Sequence, residues 1–62
     1  MFSLGFKVGD KVEFKKNGVE AVVLDVQFDA VFLEYVPLYH GEPSPRGKTQ
    51  SWIMKKLVRK VE

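Results

Sequence analysis

Residues 19–36 contain two apolar runs that are rich in β-branched and aromatic side chains and are separated by a short break. The first run is VEAVVLDVQ at 19–27, and the second is AVFLEYV at 30–36. Such residues favour the pleated backbone of a strand, and neither run has the 3.6-residue spacing of an amphipathic helix. The segment therefore predicts two antiparallel strands joined by a tight turn at Phe28-Asp29, and it directs the chain towards β structure.

Three more strands are predicted on either side of this hairpin, around Val12 and Phe14, at residues 49–54 and at residues 58–61. Apolar and polar residues alternate in the first and the last of them, as in a strand with one face buried. Lys16-Asn17-Gly18 predicts the turn after the first strand, because Asn and Gly accept a positive φ. Lys55-Lys56-Leu57 predicts a single 3₁₀ turn before the last strand.

The segment between the third and fourth strands is predicted to be a long loop. Pro37 ends the third strand, and residues 38–48 contain two further prolines and two glycines. Proline disfavours the helix that an OB-type barrel would carry at this position. Loops of this length are often functional, and their backbone lies at the surface.

Together these elements predict an all-β fold, a small barrel of about five antiparallel strands forming a single domain over residues 1–62. Closing the sheet would remove the exposed edges of such a short chain. Phe2, Leu4 and Phe6 are expected to cover one end of the barrel. In the expected arrangement of faces, the inward side chains are Val22, Leu24, Val31, Leu33 and Tyr35, and the outward apolar ones are Ala21, Val23, Phe32 and Val36.

The order of these motifs resembles the SH3-like small barrels of bacteria and phages. The resemblance lies in the opening FKVGDKV at 6–12, in the turn KKNG at 15–18, and in the ending WIMKKLVRKV at 52–61. It covers most of the chain outside the loop. It implies a five-stranded barrel that acts as a binding module.

Two families within this fold give more specific implications. KOW-type domains open in the same way and are RNA- or protein-binding modules, but they carry glycines where this chain has Glu20 and Ala21. Plasmid-encoded type II dihydrofolate reductases are also similar in their opening and ending. When Leu57 is aligned with that family's leucine, Gln50-Ser51-Trp52 corresponds to its pore-lining Gln-Ile-Tyr segment. Two of these three residues differ from those of the family. This resemblance implies a tetrameric pore enzyme as one alternative.

The residue types present argue against most enzyme classes. The 62-residue chain has no cysteine and one histidine, so neither disulfides nor a zinc site are expected. His40 lacks an evident nucleophile, and Asp10 is interpreted as a turn aspartate that accepts backbone hydrogen bonds. No glycine-rich phosphate loop precedes a helix. We therefore expect no catalytic residues, no metal and no cofactor.

The same composition gives an expectation for localisation. No run approaches the roughly 20 apolar residues that span a bilayer, and the N-terminus lacks the pattern of a signal peptide. A cytoplasmic protein without membrane contact is therefore expected.

The charge distribution supplies the leading functional hypothesis. Residues 1–40 carry four lysines against six carboxylates, a net charge of −2, whereas residues 41–62 carry six cations against two carboxylates, a net of +4. Clustered cations beside aromatic rings are typical of nucleic-acid surfaces. The sequence therefore predicts binding of DNA or RNA, with phosphates neutralised by Arg46, Lys48, Lys55, Lys56, Arg59 and Lys60 and with stacking by Trp52 and Tyr39.

Protein binding is the main alternative. If Phe32, Val36 and Val23 face outward, they form an apolar patch of the kind that marks an interface. Such a patch would suit a homo-oligomer, or an adaptor from a phage or mobile element that binds a host enzyme. The reductase-like pore enzyme is a third, more remote hypothesis.

Overall fold

The computed structural model describes residues 5–61 and shows an all-β chain with no α-helix in that range. In chain order the strands are β1 (Lys11–Phe14), β2 (Glu20–Val26), β3 (Ala30–Tyr35), β4 (Leu38–Tyr39), β5 (Glu42–Pro43), β6 (Thr49–Met54) and β7 (Val58–Lys60). A 3₁₀ turn at Lys55–Leu57 joins β6 to β7, which confirms the predicted turn before the last strand.

Five of these strands form one antiparallel sheet in the order β6-β3-β2-β1-β7. Strands β1, β2 and β3 follow one another through short turns, and β7 returns to pair with the free side of β1. The predicted turn at Phe28-Asp29 is closed by the Gln27 N–H, which donates to the Ala30 carbonyl at 2.8 Å. This arrangement is compatible with an SH3-like barrel and leaves β6 and β7 as the edges of the sheet.

One face of the sheet carries the core, and we call it the inner face. Its buried side chains are aliphatic: Val12, Ala21, Val23, Val31, Leu33 and Val58. Larger, half-buried side chains surround them, among them Phe6, Phe14, Tyr35 and Ile53. Phe6 packs against the core, whereas Phe2 and Leu4 lie outside the described residues.

The two faces of β2 are the reverse of the sequence prediction. Ala21 and Val23 are buried, whereas Val22 is 40% exposed on the opposite, outer face. Ala21 lies opposite Val12 of β1, and Val23 lies opposite Leu33 of β3, so the registers of both hairpins determine which face is inward. The prediction that Val23 is an outward interface residue was therefore wrong, because its side chain is part of the core.

A β-bulge at Leu24 also changes the alternation along β2. The strand advances by two residues, from Val23 to Asp25, while its partner β3 advances by one. Val26 consequently returns to the inner face opposite Val31 and packs against the core. A strict period of two does not describe this strand, because a bulge inserts one residue without a partner.

Within the predicted loop at residues 38–48, the chain forms a small hairpin of β4 and β5. Its turn residues, His40 and Gly41, have φ angles of 54° and 82°. A two-residue turn with both φ angles positive matches the twist of the strands it joins, and histidine tolerates this region better than most residues. The Ser44 N–H donates to the Pro37 carbonyl at 2.8 Å and closes the base of the hairpin.

Candidate nucleic-acid interface

The turn after β1 is closed by its own hydrogen bonds and is joined to the 3₁₀ turn by one backbone hydrogen bond. The Gly18 N–H donates to the Phe14 carbonyl at 2.8 Å, and the Val19 N–H donates to the Asn17 side-chain Oδ1 at 3.0 Å. Gly18 has a φ of 74°, which the sequence motif anticipated. The Lys15 N–H then donates to the Leu57 carbonyl at 3.0 Å. This last bond brings two segments together that are about 40 residues apart in the chain.

Between these two segments lies a hollow of about 430 Å³, which we call the lysine cleft. Its apolar surface comes from β1, β3, β6 and the 3₁₀ turn. Its described lining residues are Phe14, Lys15, Lys16, Asn17, Val19, Tyr35, Pro37, Leu38, Ile53, Lys56 and Leu57. Three of them are cationic and none is acidic.

Aromatic rings contribute to the floor of the lysine cleft. The rings of Phe14 and Tyr35 lie with their centroids 4.9 Å apart and their planes tilted by 59°. The Tyr35 hydroxyl is 3.1 Å from the Ser51 Oγ, and this hydrogen bond fixes the ring from the side of β6. Leu57 is 49% exposed. The cleft therefore offers apolar surface that water still reaches.

The cations of the lysine cleft differ in their pairing from the cations on β1 and β7. Among the described residues the ion pairs are Lys11–Glu20 at 3.8 Å, Arg59–Glu13 at 2.7 Å and Lys60–Asp10 at 3.4 Å. Lys15, Lys16 and Lys56 make no ion pair with any residue in the described range, and all three are exposed. Their charge is available to an anionic ligand.

The structure distributes the predicted basic residues over several places instead of one surface. Arg59 and Lys60 face carboxylates of β1 and of the residue before it, so their charges are largely compensated. Lys48 borders a separate, shallow depression of about 190 Å³ that Val36 also lines. Arg46 is exposed in the loop after β5, and Lys55 is half-buried at the start of the 3₁₀ turn. Of the predicted set, Lys56 alone lines the lysine cleft.

The predicted stacking residues lie outside the lysine cleft. Trp52 is 44% exposed on the outer face, and its ring lies against Phe32 with centroids 5.1 Å apart. Tyr39 is exposed in the β4–β5 hairpin, edge-on to the His40 ring at 4.3 Å. Phe32 thus has the predicted outward orientation, and its contact with Trp52 forms an outer aromatic pair.

Acidic residues that could have formed a catalytic pair have structural partners. The Asp10 Oδ2 accepts the Lys7 N–H at 2.8 Å, which lowers the pKa of this carboxyl, and the nearby Lys60 ammonium lowers the pKa further. The interpretation of Asp10 as a turn aspartate is confirmed. Glu13 binds Arg59 Nε. Within residues 5–61, no three histidine or acidic side chains cluster in a way that could hold a metal ion.

The three residues aligned with the reductase pore motif lie on the edge strand β6. The Gln50 Nε2 donates to the Glu34 Oε2 at 3.3 Å across the outer face. Ser51 lies towards the inner face and contacts the Tyr35 hydroxyl. Each of these two polar side chains thus has a partner on β3.

Sequence reasoning did not place Lys15 and Lys16 among the candidate binding residues, although both line the lysine cleft. In the sequence they lie beside Asp10 and Glu13, so the local charge nearly cancels. In the structure both carboxylates are occupied by cations from β7, and the lysines face another direction. The sequence signal that could have identified these lysines was their position in a turn, because turn side chains are free to point away from the sheet.

Comparisons of this chain with protein-family models, with curated proteins and with solved structures find no match.

Proposed function

We propose that this chain is a small, non-enzymatic, SH3-like module that binds nucleic acid, DNA or RNA, through the lysine cleft. One observation carries the proposal. Lys15, Lys16 and Lys56 converge from two distant segments on one apolar hollow, and no carboxylate is among its described lining residues. Lysines neutralise phosphates, and an apolar floor with aromatic rings suits bases. The basic C-terminal segment takes part through Lys56.

The decisive measurement is the salt dependence of binding to a fluorescently labelled oligonucleotide. Each phosphate contact contributes a slope of about 0.7 to 0.9 in a plot of log affinity against log salt. Three lysines therefore predict a slope of about −2 to −3. We expect Lys56→Gln to weaken binding and to reduce this slope by just under one unit.

The matched control is Lys11→Gln, which removes the same charge from the outer face. Lys11 is paired with Glu20 and does not line the lysine cleft. Its substitution should leave the slope unchanged. Equal effects of the two substitutions, or no saturable binding at about 50 mM salt, would contradict the proposal. Competition by poly-glutamate as strong as that by an oligonucleotide of equal charge would assign the cleft to an acidic protein instead.

A second candidate function is self-association through the outer face. The outer aromatic pair of Phe32 and Trp52 is joined there by Val22 and Met54, which are 40% and 47% exposed. Trp52 and Met54 belong to β6, whose other side has no strand partner among the described residues. An unpaired edge beside an apolar patch favours pairing with a second copy of this chain.

A further inference from the structure

The shape of the lysine cleft restricts the form of nucleic acid that it can accept. Its apolar floor is recessed between the turn after β1 and the 3₁₀ turn, and the lysines stand on those two segments. A ligand that uses both features must place charge at the rim and a flat, apolar group inside. A nucleotide with its base turned away from its neighbours has this form.

A duplex does not meet this requirement. Its bases are stacked and paired inside the helix, and it presents mainly phosphates to a concave surface. A duplex could contact Lys15, Lys16 and Lys56 but would leave the floor of Phe14, Tyr35 and Leu57 uncovered. A single strand can insert a base there, because unpaired bases are free to leave the stack.

We propose that the lysine cleft selects single-stranded nucleic acid by inserting one unpaired base against the Phe14–Tyr35 floor while the lysines hold the flanking phosphates. This inference rests on the proposed function and specifies its ligand. The volume of about 430 Å³ has room for one base and not for a base pair with its neighbours. The hydrogen bond between the Tyr35 hydroxyl and the Ser51 Oγ holds the floor in place before the ligand arrives.

The test compares three ligands of the same length under the same salt conditions, of which the duplex carries twice the phosphates of either single strand. They are a single strand of about 12 nucleotides, the same backbone with abasic sites throughout, and the corresponding duplex. We expect the intact single strand to bind about tenfold more tightly than either of the others. Equal affinity for the intact and abasic strands, or for the single strand and the duplex, would overturn the inference and leave the proposed function standing. Absence of binding to all three would overturn both.

Two substitutions distinguish the contribution of the base to binding from the contribution of the phosphates. Leu57→Ser changes a half-exposed side chain of the cleft floor and leaves the charge of the cleft intact. We expect it to weaken binding of the intact strand several-fold, with no effect on the abasic strand and no change in the salt slope. Phe14→Leu should act in the same direction and more strongly, because it removes a ring from the floor. Loss of abasic-strand binding in Leu57→Ser would contradict base insertion.

Trp52 provides a folding control for both variants. It lies on the outer face, outside the lysine cleft, so its fluorescence reports the folded state independently of the ligand. If Phe14→Leu loses the native Trp52 spectrum, Leu57→Ser alone decides the outcome.

Discussion

Gly9 and Asp10 show how single residues fix the start of the sheet. The Gly9 N–H donates to the Val23 carbonyl at 2.8 Å, and the Val23 N–H donates back to the Asp10 carbonyl at 2.9 Å. Gly9 adopts a φ of 93°, a conformation that glycine tolerates without steric cost. The Asp10 carboxylate joins the Lys7 backbone to the Lys60 side chain, so it ties the beginning of β1 to β7.

The Asp10 carboxylate predicts a specific pH dependence of stability. Its pKa is lowered in the folded chain, chiefly by the hydrogen bond from the Lys7 N–H and further by Lys60. The ionised form therefore stabilises the fold above the unfolded pKa, near 3.8, and this contribution is lost as the pH falls through the lower, folded pKa. We expect Asp10→Asn to lower the melting temperature at pH 7 by a few degrees and to have little effect near pH 2.

Asp29→Asn is the matched control for this prediction. Asp29 is exposed in the β2–β3 turn, and its side chain makes no hydrogen bond or ion pair with the described residues. Thermal unfolding followed by circular dichroism at several pH values measures both variants. An equal decrease in melting temperature in Asp29→Asn would contradict the role of the ionised carboxylate. A decrease in Asp10→Asn that persists at low pH would contradict it as well.

At the scale of elements, β2 shows how hairpin registers choose a face when composition does not. The strand has apolar residues on both sides, and only the pairing with Val12 and Leu33 makes Ala21 and Val23 the buried set. The bulge at Leu24 then bends the strand and returns Val26 to the core. Bulges increase local twist, and this favours a strongly curved sheet over a flat one.

Isosteric substitutions on opposite faces of β2 test this assignment. Val23→Thr buries a hydroxyl in an aliphatic core, where its burial costs about 1–3 kcal/mol of unfolding free energy. In Val22→Thr the hydroxyl is exposed to water, so we expect the unfolding free energy to change by no more than about 0.5 kcal/mol. Urea unfolding followed by Trp52 fluorescence measures both. A larger loss of unfolding free energy for Val22→Thr than for Val23→Thr would contradict this assignment and support the arrangement of faces expected from the sequence.

At the scale of the whole molecule, the small core is the main constraint. The six buried hydrophobic side chains among residues 5–61 are four valines, one alanine and one leucine. A chain of this length removes about 60% of its surface from water and has little stability to spare. The outer aromatic pair and the edge of β6, which has no strand partner among residues 5–61, provide a way to bury more apolar surface, through a second copy of the chain.

Self-association predicts that stability depends on protein concentration. A dimer unfolds at a higher denaturant midpoint as the concentration rises, whereas a monomer does not. We expect a shift in midpoint between about 1 and 100 μM, and sedimentation equilibrium should show a reversible dimer in the same range. Trp52→Gln should abolish both effects. Tyr39→Gln, which changes an exposed ring in the β4–β5 hairpin, should abolish neither. A concentration-independent midpoint in the unsubstituted chain would exclude this association.

The sequence by itself determined the all-β class, the approximate positions of five strands, the turns at Asn17-Gly18 and Phe28-Asp29, and the 3₁₀ turn. These features are local, because backbone preference, alternation and turn chemistry act between residues that are close in the chain. For the same reason the role of Asp10 was predictable. The hairpin inside residues 38–48 was not, because the His40-Gly41 turn joins strands of only two residues.

Only the tertiary structure decided which face of β2 is buried and which cations share a surface. Val23 became a core residue because the registers of two hairpins determine its environment, and a register is not encoded in a single strand. Arg59 and Lys60 pair with β1 and its preceding residue because β7 returns beside them. Lys15, Lys16 and Lys56 converge because one backbone bond joins two distant turns. Contacts between residues distant in the chain depend on the whole fold, so local patterns could not determine them.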